Sequence, residues 1–495
     1  MIPMVLMTTY EAFPQDFTDG QFNIPNNYDS SFNIVPGTNG IPDVLDEAMW
    51  GVMLWTNLQS TPNEPSGAVA WGVNAAGYPN WGINYDQDTL LWGTETNDVN
   101  SCGFAAGLFM HMARLIQPYN SQVSADLQAR GDAAYNYASA HGIKNTHKLY
   151  YAIQKYLLTG DVTASNIIES LYTSTSQFTN SYNKQLGAVL TDGTMWQAGF
   201  FMSYILATNR PTDPTVVNYF KTQLKAAADK QVSWNNNCAY PCGWPANVNP
   251  TSYNYTQGYF TDSGEFAYPC LMEWALTGQP QYVDAVSQLM DYDQGLNPIG
   301  KCYMTGIGFE QTHNPEHQES AYAEYTKGWG GPIPGITVYG PGASGPTLTS
   351  IRQVPAANGL PRERKWVDNC GDTMWSEFTV EETEVYQSAV YPVLAQGGTW
   401  SPTNGEPFLN PTASIQSGTD GMVLQFGGIP YQTYVLQTAT DINGPWSTDS
   451  FIGPAAADIT GMVQFTDTSP APVTEFYRTE YVPPGGAPPG APPIY

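Results

Sequence analysis

Asn39-Gly-Ile-Pro-Asp-Val-Leu-Asp-Glu-Ala-Met-Trp50-Gly-Val-Met-Leu-Trp-Thr-Asn-Leu58 decides the fold class. Pro42 opens the run, and Val44, Ala48, Val52 and Trp55 then recur at intervals of three and four. That is the spacing of one face of an α-helix over 43–58. The period recurs along the first 395 residues. Ser101 is placed to cap a helix whose stripe is Phe104, Leu108, Met112 and Leu115. Further amphipathic segments run near 121–141, 147–159, 195–207, 214–230, 264–277 and 280–294. The first ten residues are apolar, with neither a basic leader nor a clear cleavage site. They read as a helix entered part-way along, not as a signal peptide. Strong period-two alternation is missing from this part. Many helices joined by long loops rich in Asn, Gly, Pro and Trp predict a mainly α toroid over 1–397, with a cleft built from the loops.

Beyond this the chain changes character. Residues 398–411 carry Pro402, Gly405, Pro407 and Pro411 and read as a linker. Over 412–481, short β-type runs at Met422 to Phe426, Tyr431 to Thr438, Met462 to Phe465 and Thr474 to Arg478 alternate with Gly, Asn and Pro turns. They predict a small β-sandwich. The tail, 482–495, is a Pro/Gly tract that cannot pack a core.

A length of 495 residues suggests two to four domains. The net charge of −27 argues against nucleic acid or an anionic membrane face as partner, because both need clustered Lys and Arg. No stretch reaches the ~18 apolar residues of a membrane span. With 32 Tyr and 14 Trp but only 17 Lys and Arg, the composition suits a secreted protein that handles neutral polar ligands such as sugars. Six cysteines are too few for a disulfide scaffold. Cys238 and Cys242 could close a small loop or remain thiols, and the five His lie too far away in sequence to favour zinc.

Three stretches concentrate candidate chemistry. The first is Asn39 to Trp50. The second is Asp291-Tyr-Asp-Gln-Gly-Leu-Asn-Pro298, followed by Tyr303-Met-Thr-Gly-Ile-Gly308 and Asn314-Pro-Glu-His-Gln-Glu-Ser320. The third is Trp366-Val-Asp-Asn-Cys-Gly-Asp372, followed by Trp375-Ser-Glu-Phe-Thr-Val380. Together they resemble glycoside hydrolase family 9, the inverting cellulases and related β-glucanases, in the family's order over about residues 8–395. Tyr10 to Pro14 and Leu158-Thr-Gly160 fit less specifically. The resemblance implies a six-hairpin (α/α)6 barrel that hydrolyses β-1,4-glucosidic bonds of cellulose or a related β-glucan.

An inverting glycosidase needs one carboxylic acid to protonate the leaving oxygen and one carboxylate to activate water on the opposite sugar face. The resemblance sets the acid at Glu377, within Ser-Glu-Phe-Thr-Val. A rival register sets it at Glu381. The bland reading of either is an exposed carboxylate at a helix start, favoured by the dipole. The family's base is an Asp in an Asp-Ala-Gly-Asp segment just upstream of the equivalent of Met1, and no such segment occurs in the 495 residues. The expectation is a chain truncated at its N-terminus, its signal peptide included, and a weak hydrolase or none as it stands.

The family's Asn-Pro-His-His-Arg becomes Asn314-Pro-Glu-His-Gln318 here. His317 keeps one sugar-binding position, while Glu316 and Gln318 change the charge and leave substrate preference open. Asp368 and Asp372 either line the acid end of the cleft or cap loops. Sugar rings stack on aromatic faces. The loop tryptophans Trp81, Trp92, Trp244, Trp329, Trp366 and Trp375 are the candidate platforms, with Trp244, Trp329 and Trp375 foremost. The helical Trp50, Trp55 and Trp274 are assigned to the core. The resemblance requires no cofactor and allows a structural calcium, although no acidic loop has EF-hand spacing. The C-terminal β-region resembles accessory domains ending in Phe-Tyr-Arg, here Phe476-Tyr-Arg478, and reads as a spacer. Two other functions stay open. One is an exo-acting cellodextrinase or glucosaminidase. The other is a non-catalytic carbohydrate-binding protein on the same fold.

Overall fold

The computed structural model describes most of residues 2–396 and much of 414–482. Outside the description lie, among shorter pieces, 60–64, 174–194, 243–262, 323–331, 342–363, 381–384, 397–413 and 483–495. The chain divides into two compact units, Met1–Gly397 and Gly398–Tyr495.

The first unit is built from helices, most of them in the expected places, with Val162–Leu171 an addition that the sequence reading did not name. They are α1 (Ile2–Ala12), α2 (Asp43–Gln59), α3 (Val99–Ile116), α4 (Ser121–Ala140), α5 (Asn145–Thr159), α6 (Val162–Leu171), α7 (Met195–Ile205), α8 (Pro214–Asn236), α9 (Ser263–Thr277) and α10 (Pro280–Asp293). Short helices follow at α11 (Gln318–Ala321) and α12 (Thr373–Ser376), then α13 (Val385–Gln396). Consecutive helices pack as neighbours, α3 on α4, α5 on α6 and α9 on α10. The first helix is the hub. Residues Pro3 to Thr9 are all buried, and α1 touches α2, α3, α7, α9 and α13. The start of the chain thus packs against the last helix of the unit and closes the ring.

The apolar stripes behave as their period requires. Val44, Ala48 and Val52 are at most 3% exposed. Trp50 corrects the sequence assignment. It projects from the opposite face of α2, is 66% exposed and is not a core residue. Helix starts follow capping chemistry. Asp98, not Ser101, caps α3, its carboxylate accepting the Ser101 N–H at 2.8 Å. Asp161 and Asp213 cap α6 and α8 in the same way. Gly160 ends α5 with φ of 77°, a left-handed turn that glycine tolerates. Gly107 lets α3 approach α5, because a Cβ there would run into the ring of Tyr150.

Polar side chains also knit the inner helices. Glu11 on α1 pairs with Arg114 at 2.6 Å and accepts His111 Nε2 at 2.6 Å, both on α3. Ser203 on α7 donates to Glu11 at 2.6 Å. On α5, the Tyr150 hydroxyl meets His111 Nδ1 at 2.9 Å and Gln154 accepts from Arg114 Nε at 2.9 Å. Burial lowers the His111 pKa. The neutral ring therefore donates from Nε2 and accepts at Nδ1, a tautomer set by its two partners.

Two small antiparallel ribbons were not visible as sequence alternation. β1 (Asn27–Tyr28) pairs with β2 (Ile34–Val35), and β3 (Val73–Ala75) with β4 (Trp92–Thr94). In the second unit, β10 (Met462–Asp467), β6 (Gly421–Gly427) and β5 (Ser414–Gly418) form one sheet. β11 (Phe476–Val482), β7 (Thr433–Ala439) and β8 (Ser447–Thr448) form another, with β9 (Ala455–Ala456) beside β7. Leu424 and Phe465 from one sheet and Tyr434 and Leu436 from the other share a small core, which makes a sandwich. Val482, set as the first residue of the tail, instead ends β11; the proposed linker and the rest of the tail lie outside the described residues.

Candidate active site

The second and third motif stretches meet through main-chain bonds. Asn297 starts the arrangement. It is buried, and its amide donates to the carbonyls of Tyr292 and Lys301, each at 2.7 Å. This fixes the turn after α10, where Gly295 takes φ of 121°. The chain then runs back as Cys302 to Thr305. Tyr303 N–H donates to Asp293, and Val338 N–H to Tyr303, at 2.8 and 3.1 Å.

Glu377 lies in this framework. Its carbonyl accepts the Tyr339 N–H at 2.8 Å, and Gly340 N–H reaches Trp375 at 3.0 Å. On its other side, Glu316 N–H donates to the Ser376 carbonyl at 2.7 Å. The Glu377 backbone is therefore held between two segments. Its side chain is partly exposed, and burial raises the carboxyl pKa above the ordinary glutamate value. A raised pKa keeps the acid protonated to higher pH, as a proton donor requires.

His317 joins the same locality. Its ring stands edge-on to Phe378, the neighbour of Glu377, with centroids 5.5 Å apart. Nδ1 contacts Ser320 Oγ at 2.9 Å, and His317 caps α11. Burial lowers its pKa, which favours the neutral ring. Gln318 turns elsewhere and donates to the carbonyl of Asn80 at 3.1 Å. Asp368 organises the loop before them. It accepts Thr312 Oγ1 at 2.9 Å, the His313 N–H at 2.7 Å and the Asn314 N–H at 2.8 Å. The loop-cap alternative describes these contacts.

The structure brings Glu316, His317, Asp368, Trp366, Trp375 and Glu377 into one neighbourhood. It corrects the role expected for Trp375, which is fully buried at 0% exposure on α12. A ring enclosed on both faces is no platform for a sugar. Trp366 is partly buried, edge-on to Tyr303 at 5.4 Å, and donates its indole N–H to the Trp375 carbonyl at 3.3 Å. Trp81, Trp244, Trp329, Asp372 and Glu381 lie outside the described residues. Sequence reasoning missed Ser376, Tyr339 and Phe378. Ser376 and Phe378 flank Glu377, which was a usable signal. Tyr339 was reachable only through the fold.

Among the described residues, no disulfide joins any of the six cysteines. Among the described residues, no group of three or more His, Cys, Asp or Glu side chains is arranged to hold a metal. Asp19, Asp43 and Asp46 approach one another, and all their oxygens except the buried Asp19 Oδ1 accept N–H donors. Asp43 accepts from Gly20 and Phe22 at 2.7 and 2.6 Å, Asp19 from Gly40 at 2.6 Å, and Asp46 from the Asn39 amide at 3.0 Å.

A ring of paired helices thus frames a carboxylic acid in a loop-built locality. Residues 3–390 match the model of glycosyl hydrolase family 9, and the chain belongs to that family. Its barrel is therefore an (α/α)6 barrel. The chain is 23% identical over 463 residues to a cellulose 1,4-beta-cellobiosidase of Acetivibrio thermocellus, covering 84% of this chain and 49% of that protein. It is 22% identical to a xyloglucan-specific endo-beta-1,4-glucanase of Bacteroides ovatus, covering 68% and 57%. The chain thus spans about half the length of these curated relatives. A metagenome-derived family 9 endoglucanase structure shares the fold with a TM-score of 0.62 at 20% identity, over 79% of this chain and 68% of that one.

Proposed function

We propose that this chain acts outside the cell as a hydrolase of β-1,4-glucans, cellulose or a related polymer, with inversion at the anomeric carbon and Glu377 as general acid. The observation that carries the reading is Glu377 itself. Its backbone is clamped by Tyr339, burial raises its carboxyl pKa above the ordinary glutamate value, and His317 stands beside its neighbour Phe378. Glu377 donates its proton to the glycosidic oxygen as the bond to the leaving sugar breaks. Water attacks from the opposite face and transfers its proton to a carboxylate base. Family membership supports the reaction class. His317 and Glu316 are assigned to sugar hydroxyls, with Trp244 and Trp329 as platforms. No cofactor enters any step.

A non-catalytic sugar-binding protein on the same fold is the second reading. One experiment separates the two. Binding of cellotetraose is measured by calorimetry, and sugar release from a soluble β-glucan is measured alongside, with the product anomer read by NMR. The hydrolase reading expects an α-anomeric product, and loss of turnover by roughly 10²–10⁴-fold in Glu377→Gln with binding retained. Turnover unchanged in Glu377→Gln but lost in Glu381→Gln overturns the assignment of the acid. Binding without any turnover in the parent chain supports the second reading.

A further inference from the structure

The β3–β4 ribbon is longer than its strands. Ala70 bridges Asn97, Trp71 N–H donates to Thr96, Glu95 N–H to Gly72 and Ala76 N–H to Leu91, so pairing runs from 70 to 76 against 91 to 97. Side chains alternate across such a ribbon, and cross-strand partners share a face. Trp71, Val73 and Ala75 therefore lie on one face with Thr96, Thr94 and Trp92, given the pairs Val73 with Thr94 and Ala75 with Trp92. That face meets solvent. Trp71 is 51% exposed, Val73 41% and Trp92 63%. The face of a ribbon turned to water is ordinarily polar. Here two indoles stand about 13 Å apart along it, four residues at strand rise.

Two further features specify the occupant. Asp88 accepts the Trp92 indole N–H at 3.3 Å and so orients that ring. The arm is also tied to the candidate active site, because Gln318, next to His317, donates to the carbonyl of Asn80 between the two strands of the ribbon. An aromatic strip with threonine hydroxyls along its edge suits a neutral pyranose chain. The chain's net charge of −27 disfavours a polyanion.

We propose that Trp71 and Trp92 form an accessory platform on the β3–β4 arm that holds a β-glucan chain beyond the catalytic locality, so that polymer binds more tightly than a short oligosaccharide. This rests on the proposed function, because the polymer must be the one that enters the site. Gln318 serves here as the tether of the arm.

The test compares the parent chain with Trp71→Ala/Trp92→Ala. Affinity for insoluble cellulose and soluble β-glucan is measured beside affinity for cellotetraose. The expected result is a loss of polymer affinity of roughly tenfold, from two stacking contacts of about threefold each, with cellotetraose affinity within twofold of the parent. Trp92→Phe should recover part of the loss, since a smaller ring still stacks. Unchanged polymer affinity in the double variant overturns the platform. An equal loss for polymer and cellotetraose also overturns it, because the indoles would then belong to the site itself. A parent chain that binds cellotetraose but shows no preference for polymer defeats the platform and leaves the proposed function standing. A parent chain that binds no β-glucan defeats the proposed function and the platform together. Circular dichroism checks that the variants are folded, and both tryptophans are exposed enough for truncation to leave the core intact.

Discussion

Asp368 Oδ1 accepts the backbone N–H of Asn314 at 2.8 Å, joining two loops 54 positions apart in the chain. The same carboxylate takes the His313 N–H and the Thr312 hydroxyl. Three donors therefore depend on one side chain, and they belong to the loop that leads into Glu316 and His317.

Asp368→Ala should release that loop. Three donors lose their acceptor, a change of about 1–3 kcal/mol for the partners left buried. The expected outcome is a lower melting temperature together with weaker cellotetraose binding, read by thermal denaturation and calorimetry. Asp368→Asn should fall between parent and alanine, since its amide oxygen still accepts. Binding and stability both unchanged in Asp368→Ala would show that the loop is held by other contacts.

The second prediction concerns Glu11. Burial works to raise its pKa, but the charge of Arg114 and the hydrogen bonds from His111 and Ser203 overcome it, and the carboxyl is held at about 2. A group depressed in the folded state contributes stability that is complete above its unfolded value of 4.5 and is lost as pH falls toward 2. His111, lowered from 6.5 by burial, acts in the same sense from higher pH, because the unfolded ring takes up a proton first. Glu11→Gln should leave Arg114 without its countercharge and cost about 3–5 kcal/mol. Denaturant titrations at pH 3 and pH 7 should show that the variant has lost the part of the pH dependence due to Glu11, while that of His111 and Asp293 remains.

Asp293 should behave in the opposite way. It is fully buried on α10, with Ser263 and Gln387 donating to its two oxygens at 2.9 and 2.8 Å. Burial pushes its pKa well above the ordinary aspartate value, against the pull of those hydrogen bonds. The folded state then holds its proton longer than the unfolded chain, so stability falls as pH rises above 3.8, until the folded carboxyl itself ionises. Asp293→Asn removes the ionisation and keeps the shape, with Gln387 turning its amide to offer its oxygen. The variant should match or exceed the parent in stability at pH 7, and the parent should gain on it toward pH 4. Strong destabilisation of Asp293→Asn at pH 7 would contradict this account.

Gly107→Ala should destabilise the helical unit. The added methyl meets the ring of Tyr150, which is itself fully buried, bonded to His111 and stacked on Phe200 at 4.9 Å. Overpacking of this kind costs about 1–3 kcal/mol. Pairing it with Tyr150→Leu should recover part of the loss, measured as a double-mutant cycle.

The helices could be read from the sequence because each buries one stripe, and a stripe such as Val44, Ala48 and Val52 is a local pattern. Trp50 was misassigned by residue type, although its position relative to Val44 already put it on the far side of α2. The β3–β4 ribbon escaped notice because its solvent face carries Trp71, Val73 and Trp92, so the alternation of polar and apolar residues that marks a strand is missing. At the candidate site, Glu377, His317 and Asp368 were legible as motif residues. What each one touches was not. The pairing of Glu316 with Ser376 and of Tyr339 with Glu377 joins segments separated by dozens of residues, and no local spacing encodes such a contact. Trp375 shows the same limit, since its place beside Glu377 in the chain said nothing of its burial.

The central position of α1 sets the order in which the molecule can be completed. Residues Pro3 to Thr9 are buried on every side, and one of their walls is α13, Val385–Gln396. During synthesis α1 leaves the ribosome well before its last wall, which is made roughly 380 residues later. At about 5–20 residues per second that interval is roughly 20–80 s. Throughout it, α1 must be sheltered by helices that arrive sooner, by a chaperone, or by nothing. Yield in a cell should therefore respond to chaperone supply and to translation speed more strongly than the stability of the finished barrel would suggest.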